Sequence, residues 1–233
     1  MGPQGPPVEL PPAVIPNSVL QRVGSNPIFM APLTLDQILP AFVVSLSGGG
    51  SLELGQTVTN PYFTATYSRE PAVATLSIDN GYGLDVSGTP TSFTAFTVLQ
   101  KSELGSSNAV ILTANETGGP SKTSTAYFGW YPKVFVGVGS AGSFNESFIH
   151  GLTGALASSR GRTFTVTPGV GQKIYYAYPV AFGLATFYVG GFEGGFIEPP
   201  TVTSVTNPFG VVLDYYVYES SQDNLGQTTV LVS

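Results

Sequence analysis

The sequence predicts an all-β protein built from two tandem β-sandwich domains, with an extended Pro-rich segment ahead of them and one short helix in the second domain. Three observations carry this reading. Composition comes first: 29 Gly and 19 Pro accompany abundant Thr, Ser, Val, Tyr and Phe, which favours strands joined by tight turns. Secondly, from Ala41 onward short runs alternate apolar and polar residues, the period of a half-buried strand. Thirdly, a hydrophobic fraction of 42% over 233 residues is enough for more than one core, so this is not a disordered chain.

The elements follow in order. Residues 1–40 are Pro-rich and lack strand periodicity. Gly2-Pro3-Gln4-Gly5-Pro6-Pro7 makes two collagen-type triplets, in which glycine at every third position lets three polyproline-type chains meet on one axis. Such a start suits either the end of a collagen-like shaft or a stiff linker. Thr34-Leu35-Asp36-Gln37 has the form of a capping box for a single helical turn that Pro40 ends. Strands are expected at 41–46, 62–67, 72–78, 93–99, 109–114 and 123–128, with turns at Gly48-Gly49-Gly50 and Asn80-Gly81. Short strands at this spacing over about 90 residues describe an immunoglobulin-like sandwich at 41–132, although the Cys–Trp–Cys hallmark is missing. The second sandwich, 133–233, has expected strands at 134–138, 163–167, 173–178, 185–189, 201–206, 211–218 and 228–232. Its helix is expected over 145–160, with Phe148, Leu152, Ala155 and Leu156 on one face. Strand 211–218 is apolar or aromatic on both faces, so both should be covered, one of them by a neighbouring chain. Proteolysis is expected first in 1–40 and next at the 130–133 junction.

Charge and motifs exclude several functions. A net charge of −6, with eight scattered Lys and Arg, argues against nucleic acid as a partner. Without Cys there are no disulfides, and Met1-Gly2-Pro3-Gln4 does not open a secretion signal. The apolar stretch 174–192 is long enough to span a bilayer, but Pro179, Gly183, Gly190 and Gly191 interrupt it; two strands around a turn explain it better, and no membrane insertion is expected.

Gly137-Val138-Gly139-Ser140-Ala141-Gly142 matches the dinucleotide pattern, yet Arg160 and Arg162 lie where the ribose-binding acid should follow, so a local turn is the better reading. His150, the sole histidine, rules out a multi-His metal site and is read as a surface or packing residue. No spacing among the 14 acidic residues marks a glycosidase pair. Asn115-Glu116-Thr117 and Asn145-Glu146-Ser147 match the glycosylation sequon and are read as ordinary loop residues. Trp130 and most of the Tyr and Phe are assigned to core and subunit interface rather than to a sugar-stacking platform. The expectation is therefore no enzyme, no catalytic, cofactor-binding or metal-ligating residues, and no cofactor.

Several blocks carry a family likeness. They are Lys133-Val134-Phe135-Val136-Gly137-Val138, Ala157-Ser158-Ser159-Arg160 before Thr163-Phe164-Thr165-Val166, and Ile174-Tyr175-Tyr176-Ala177-Tyr178-Pro179-Val180-Ala181-Phe182-Gly183. Others are Ala185-Thr186-Phe187-Tyr188-Val189-Gly190-Gly191-Phe192, Thr206-Asn207-Pro208-Phe209-Gly210 and Tyr215-Tyr216-Val217-Tyr218-Glu219-Ser220. The earlier blocks are Val19-Leu20-Gln21-Arg22-Val23-Gly24, Leu33-Thr34-Leu35-Asp36 and Gly50-Ser51-Leu52-Glu53-Leu54-Gly55-Gln56-Thr57-Val58. In these blocks the chain resembles structural proteins of bacteriophage virions, of the tail-fibre and baseplate-associated kind, while Gly139 and Gly142 depart from that pattern. The resemblance implies a virion component in the phage tail region, trimeric in the fibre case, with no catalytic residues to carry over.

The functional expectation is a structural component of a tailed-phage virion that contacts the host surface, through a glycan or a protein. The alternatives are a bacterial cell-surface adhesion module and a polysaccharide-cleaving tail spike. The expected partners are other copies of the chain in a homotrimer, and other virion proteins through the amino-terminal segment. The triplets, the 9% charged fraction and the two-faced strand 211–218 argue for that trimer.

Overall fold

The structure is a computed structural model, and it describes residues 20–23, 26–29, 41–78, 83–85, 92–94, 99–117 and 119–233. It is all-β and sandwich-like, with a single α-helix among the described residues. The collagen-type triplets, the Thr34–Gln37 capping box and the Asn80-Gly81 turn lie outside the described residues.

Within the segment expected to lack strands, β1 (Leu20–Val23) and β2 (Asn26–Phe29) form an antiparallel hairpin with Leu20 opposite Phe29. The sequence contains its cause, two short apolar-ended runs separated by Gly24-Ser25, a two-residue hairpin composition.

The first sandwich uses β3 (Val44–Ser47), β4 (Gly50–Glu53), β5 (Tyr62–Tyr67), β6 (Val73–Ile78), β7 (Gly83–Asp85), β8 (Ser92–Thr94), β9 (Ser107–Asn115) and β10 (Lys122–Tyr131). One sheet has the order β3-β5-β8 and the other β4-β10-β9-β6-β7. All neighbours are antiparallel except β4 and β10. The edge of the chain thus begins in one sheet and crosses to the other, an immunoglobulin-like arrangement. Gly48-Gly49-Gly50 makes that crossing at φ +135°, +87° and +159°, and a Cβ on Gly49 would run into the Tyr127 carbonyl. Strict alternation fills the core: Phe63 and Ala65 of β5, Leu76 of β6, Val110 and Leu112 of β9 are buried around Trp130. The Trp130 indole N–H donates to the Gln56 carbonyl at 2.8 Å, which satisfies its one polar atom.

The second sandwich holds β11 (Lys133–Ser140), α1 (Glu146–Gly151), β12 (Thr153–Leu156), β13 (Arg162–Val166) and β14 (Gln172–Pro179). After a 3-10 turn at Val180–Phe182 come β15 (Phe187–Val189), β16 (Phe192–Glu193), β17 (Thr201–Thr206), β18 (Val212–Glu219) and β19 (Thr228–Val232). Its sheets are β12-β11-β14-β18-β17 and β13-β19-β15-β16, and the Glu198–Pro199 peptide is cis. The apolar stretch 174–192 is therefore strand, turn and strand; no helix among the described residues is long and apolar enough to cross a membrane.

The middle strand of the five-stranded sheet, β14, is buried on both faces. Ile174, Tyr176 and Tyr178 face the smaller sheet, where they meet Phe164, Phe187 and Val230. Tyr175 and Ala177 face the other way, with Phe135, Tyr215 and Val217, beneath Ile149 of α1. On one face of strand 211–218, Tyr215 and Val217 are thus covered by this chain's own helix and Val211 and Leu213 by the first sandwich, whereas Val212 of the other face stays 59% exposed.

The helix is shorter than expected. The Asn145 side chain caps it by accepting from the Phe148 N–H at 2.8 Å, but it ends at Gly151, and 153–156 form β12. Gly151, Thr153 and Gly154 are poor helix formers, and β12 completes the open edge of β11, with Lys133 opposite Leu156. Phe148 and Leu152 keep their place over the sheet, whereas Ala155 and Leu156 join the strand.

At the junction, β10 passes through the buried Pro132 directly into β11. Three contacts pin the two sandwiches there. Lys133 Nζ lies 2.5 Å from Glu53 Oε2, the Asn207 amide donates to the Leu54 carbonyl at 2.6 Å, and Val211 and Leu213 pack on the first core. The Leu54 N–H bonds the Tyr131 carbonyl and the Trp130 N–H the Ser106 carbonyl, so the backbone here is not free to enter a protease. This replaces the expected second cleavage at 130–133. Among the described residues, limited proteolysis followed by mass spectrometry should first cut the turn at 168–171, whose Val170 is 99% exposed. Early cutting within 130–133 would show that the junction is not closed.

Candidate functional site

The Gly-rich motif after β11 begins inside the strand, not in a phosphate loop. Gly137 and Gly139 lie on β11, where a Cβ at Gly137 would meet Leu152 Cδ2 at 2.8 Å and one at Gly139 would collide with the Phe148 ring. These glycines make room for the helix. Gly142, at φ +75°, turns the chain, and its N–H donates to Glu219 Oε2 at 2.9 Å. A pyrophosphate would have to displace that carboxylate, so the turn reading stands. Gly139→Ala should destabilise the fold by about 1–3 kcal/mol through overpacking. Combined with Phe148→Ala it should cost less than the sum of the two single changes, as thermal or denaturant melts will measure.

Glu219 is the centre of a small polar cluster. Tyr175 Oη lies 2.6 Å from Glu219 Oε2 and 2.5 Å from the Ser140 carbonyl, which share its one proton, and Lys173 Nζ lies 3.6 Å from Glu219 Oε1. Burial works against the Glu219 charge, but hydrogen bonds from Tyr175 and Gly142, with Lys173 nearby, outweigh it and hold the carboxyl below its usual range. Burial, and then the bond to Glu219, pushes Tyr175 up to about 12. Burial does the same to Tyr176, also to about 12, and raises Tyr178 and Tyr215 as well. Such tyrosines keep their protons in the folded state at pH values where unfolded tyrosine has lost them. The native state then binds more protons than the unfolded one, so stability falls as pH rises. Their contribution is complete below the ordinary value of 10.0 and is lost on the way to about 12. A tyrosinate absorbance titration should show these residues ionising late, together with the loss of folded circular dichroism. Ionisation of all 12 tyrosines near pH 10 with the fold intact would contradict it.

The other residues singled out in the sequence serve the fold. Thr206, on the edge strand β17, has its N–H bonded to Glu146 Oε1 at 2.6 Å and its carbonyl 3.0 Å from His150 Nε2. His150 therefore helps close a sheet edge, as a packing residue would. Asn145 is the helix cap. Asn115 ends β9 beside Glu116, which is buried and held by both Arg69 guanidinium contacts, at 2.5 and 2.8 Å. Trp130 is fully buried and offers no sugar platform. No group of three metal-binding side chains forms among the described residues.

One cleft was not marked in the sequence. It encloses about 860 Å³, within the usual size of a ligand pocket, where β15, β16 and the strand start at Thr201 converge. Phe187, Phe196 and Tyr218 form its floor; the first two stack at 4.1 Å, and Phe187 meets Tyr218 at 4.7 Å. Leu184, Glu193 and Glu198 stand exposed on its rim. Two carboxylates separated by the Gly194-Gly195 turn, between aromatic strand residues and Pro199-Pro200, are the signal that could have marked it, since binding residues concentrate in loops on a rigid scaffold. No protein-family model matches the chain, and no curated protein matches it in sequence.

Proposed function

We propose that this chain is a non-catalytic structural component of a tailed-bacteriophage virion, a tail-fibre or baseplate-associated protein that contacts the host surface and works as a homotrimer. The observation that carries the reading is the junction. Two sandwiches joined through buried Pro132, and pinned by the Glu53–Lys133 pair and by Asn207, hold a fixed relative orientation without a linker. A fibre segment needs that property in order to transmit position and load. The block-wise resemblance to virion proteins supports the same reading, as does a charged fraction of 9%, which leaves apolar surface for burial between subunits. A bacterial surface adhesin built from the same sandwiches is the rival within the structural class.

A polysaccharide-cleaving spike has one observation in its favour, the pair Glu193 and Glu198 in one cleft. Both are exposed, however, and a general acid needs a desolvated carboxyl to keep its proton near neutral pH. Non-covalent binding fits better.

Labelling purified phage particles with an antibody against this chain, viewed by electron microscopy, should decorate the tail region. Labelling of bacterial cells and not of particles would move the assignment to the adhesin. Light scattering on the intact chain should give three times the chain mass of 24.3 kDa; a mass of one chain would remove the trimer. Release of reducing sugar from capsule would overturn the non-enzyme reading.

A further inference from the structure

We infer that helix α1 is an autoinhibitory strap on edge strand β17, where Glu146 and His150 occupy the backbone of Thr206 and keep the strand from pairing with the same strand of a second copy. The inference goes beyond the virion reading and does not depend on it. β17 ends its sheet, and its sequence Thr201-Val202-Thr203-Ser204-Val205-Thr206 has five β-branched residues and no charge, with Val202 55% exposed. Such a segment on an open edge is a template for another strand, and it carries no lysine or proline within it to prevent that.

The register fixes which backbone groups are open. Just past the strand, the Asn207 N–H donates to the Val211 carbonyl at 2.9 Å, and hydrogen-bonded pairs alternate along an antiparallel ladder. Val205, Thr203 and Thr201 therefore turn their N–H and C=O groups to β18, while Val202, Ser204 and Thr206 turn theirs outward. α1 closes the last of these. Glu146 Oε1 accepts the Thr206 N–H at 2.6 Å, and His150 Nε2 lies 3.0 Å from the Thr206 carbonyl. A carbonyl only accepts, so the imidazole proton sits on Nε2. Standing one helical turn apart, the two side chains together do what a residue of an adjacent strand would do. The Thr203 hydroxyl donates to the Phe144 carbonyl at 2.6 Å and clasps the segment leading into the helix, which buried Ile149 anchors on the sheet. Val202 and Ser204 are left as the open positions of this edge among the described residues.

A second copy of β17 is complementary to the first. With Thr206 held, two antiparallel copies match only Val202 with Ser204 and Ser204 with Val202. That ladder stops where Pro200, which has no N–H, stands opposite the occupied Thr206. With Thr206 released, Val202 matches Thr206, Ser204 matches Ser204 and Thr206 matches Val202, so the ladder grows from two hydrogen-bonded pairs to three. The strap thus sets how much edge another copy can use.

Hydrogen exchange read by NMR on the unsubstituted chain should find the Thr206 amide at least about tenfold slower than those of Val202 and Ser204, although all three face outward. Equal exchange at the three positions would overturn the strap. Glu146→Ala combined with His150→Ala should raise the light-scattering mass to at least about twice that of the unsubstituted chain at the same concentration, whatever the state of the latter. Adding Ser204→Pro, which an edge strand tolerates where its N–H faces solvent, should bring the mass back. An unchanged mass with the circular dichroism of the fold retained, or association that survives Ser204→Pro, would also overturn it. Should the double variant fail to fold, the exchange measurement decides alone. None of these results bears on particle labelling or on the absolute mass of the intact chain, so the virion reading and the strap can fail separately.

Discussion

Strand β14 carries four consecutive side chains, Tyr175 to Tyr178, that are all buried, and successive strand residues point to opposite faces. A two-layer sandwich covers only one face of each sheet, so a strand like this forces a third layer. Helix α1 supplies it, which explains features that look unrelated in the sequence. Asn145 starts the helix, Gly137 and Gly139 let it approach the sheet, and Ile149 seals it. The tyrosine hydroxyls buried in this way must also find partners, since an unpaired buried donor costs about 1–3 kcal/mol. Tyr176 donates to the Arg160 carbonyl at 2.6 Å, Tyr215 to the Lys133 carbonyl at 2.9 Å, and Tyr175 to Glu219. The Tyr178 and Tyr218 hydroxyls meet each other at the longer distance of 3.5 Å. One packing constraint thus accounts for the helix and for the partners of these tyrosine hydroxyls.

With so few charged residues, where they sit is informative. Arg69 with Glu116 ties the end of β9, Lys133 with Glu53 closes the junction, Lys173 faces Glu219, and Glu146 covers an edge N–H. Each of these pairs or caps lies where a strand ends or a sheet would otherwise stay open, a use suited to a protein that must not aggregate through its edges.

Much of the fold was legible in the sequence because a half-buried strand records its environment in its own alternation. Tyr62–Tyr67, Thr201–Thr206 and Thr228–Val232 form strands over the spans that their patterns indicate. The two-faced character of 211–218 was also visible, but pattern alone cannot say what covers a face, and here a helix of the same chain covers Tyr215 and Val217. The helix itself was overextended because Phe148, Leu152, Ala155 and Leu156 keep helical spacing, while the need of β11 for an edge partner is a long-range demand. Hairpin Leu20–Phe29 was missed for a different reason, its strands being four residues each and carrying little periodicity.

The sequence by itself determined the all-β class, most strand positions, and the packing of His150 and Trp130 and the turn at Gly142. These depend on local pattern and composition, which each segment carries alone. Tertiary structure decided the sheet order, the closed junction at Pro132 and the cleft, because all three join residues far apart in the chain. Asn207 reaches Leu54 across 153 positions, and Tyr178 meets Tyr218 across 40. No local period encodes such pairs; they exist only once both sheets have packed.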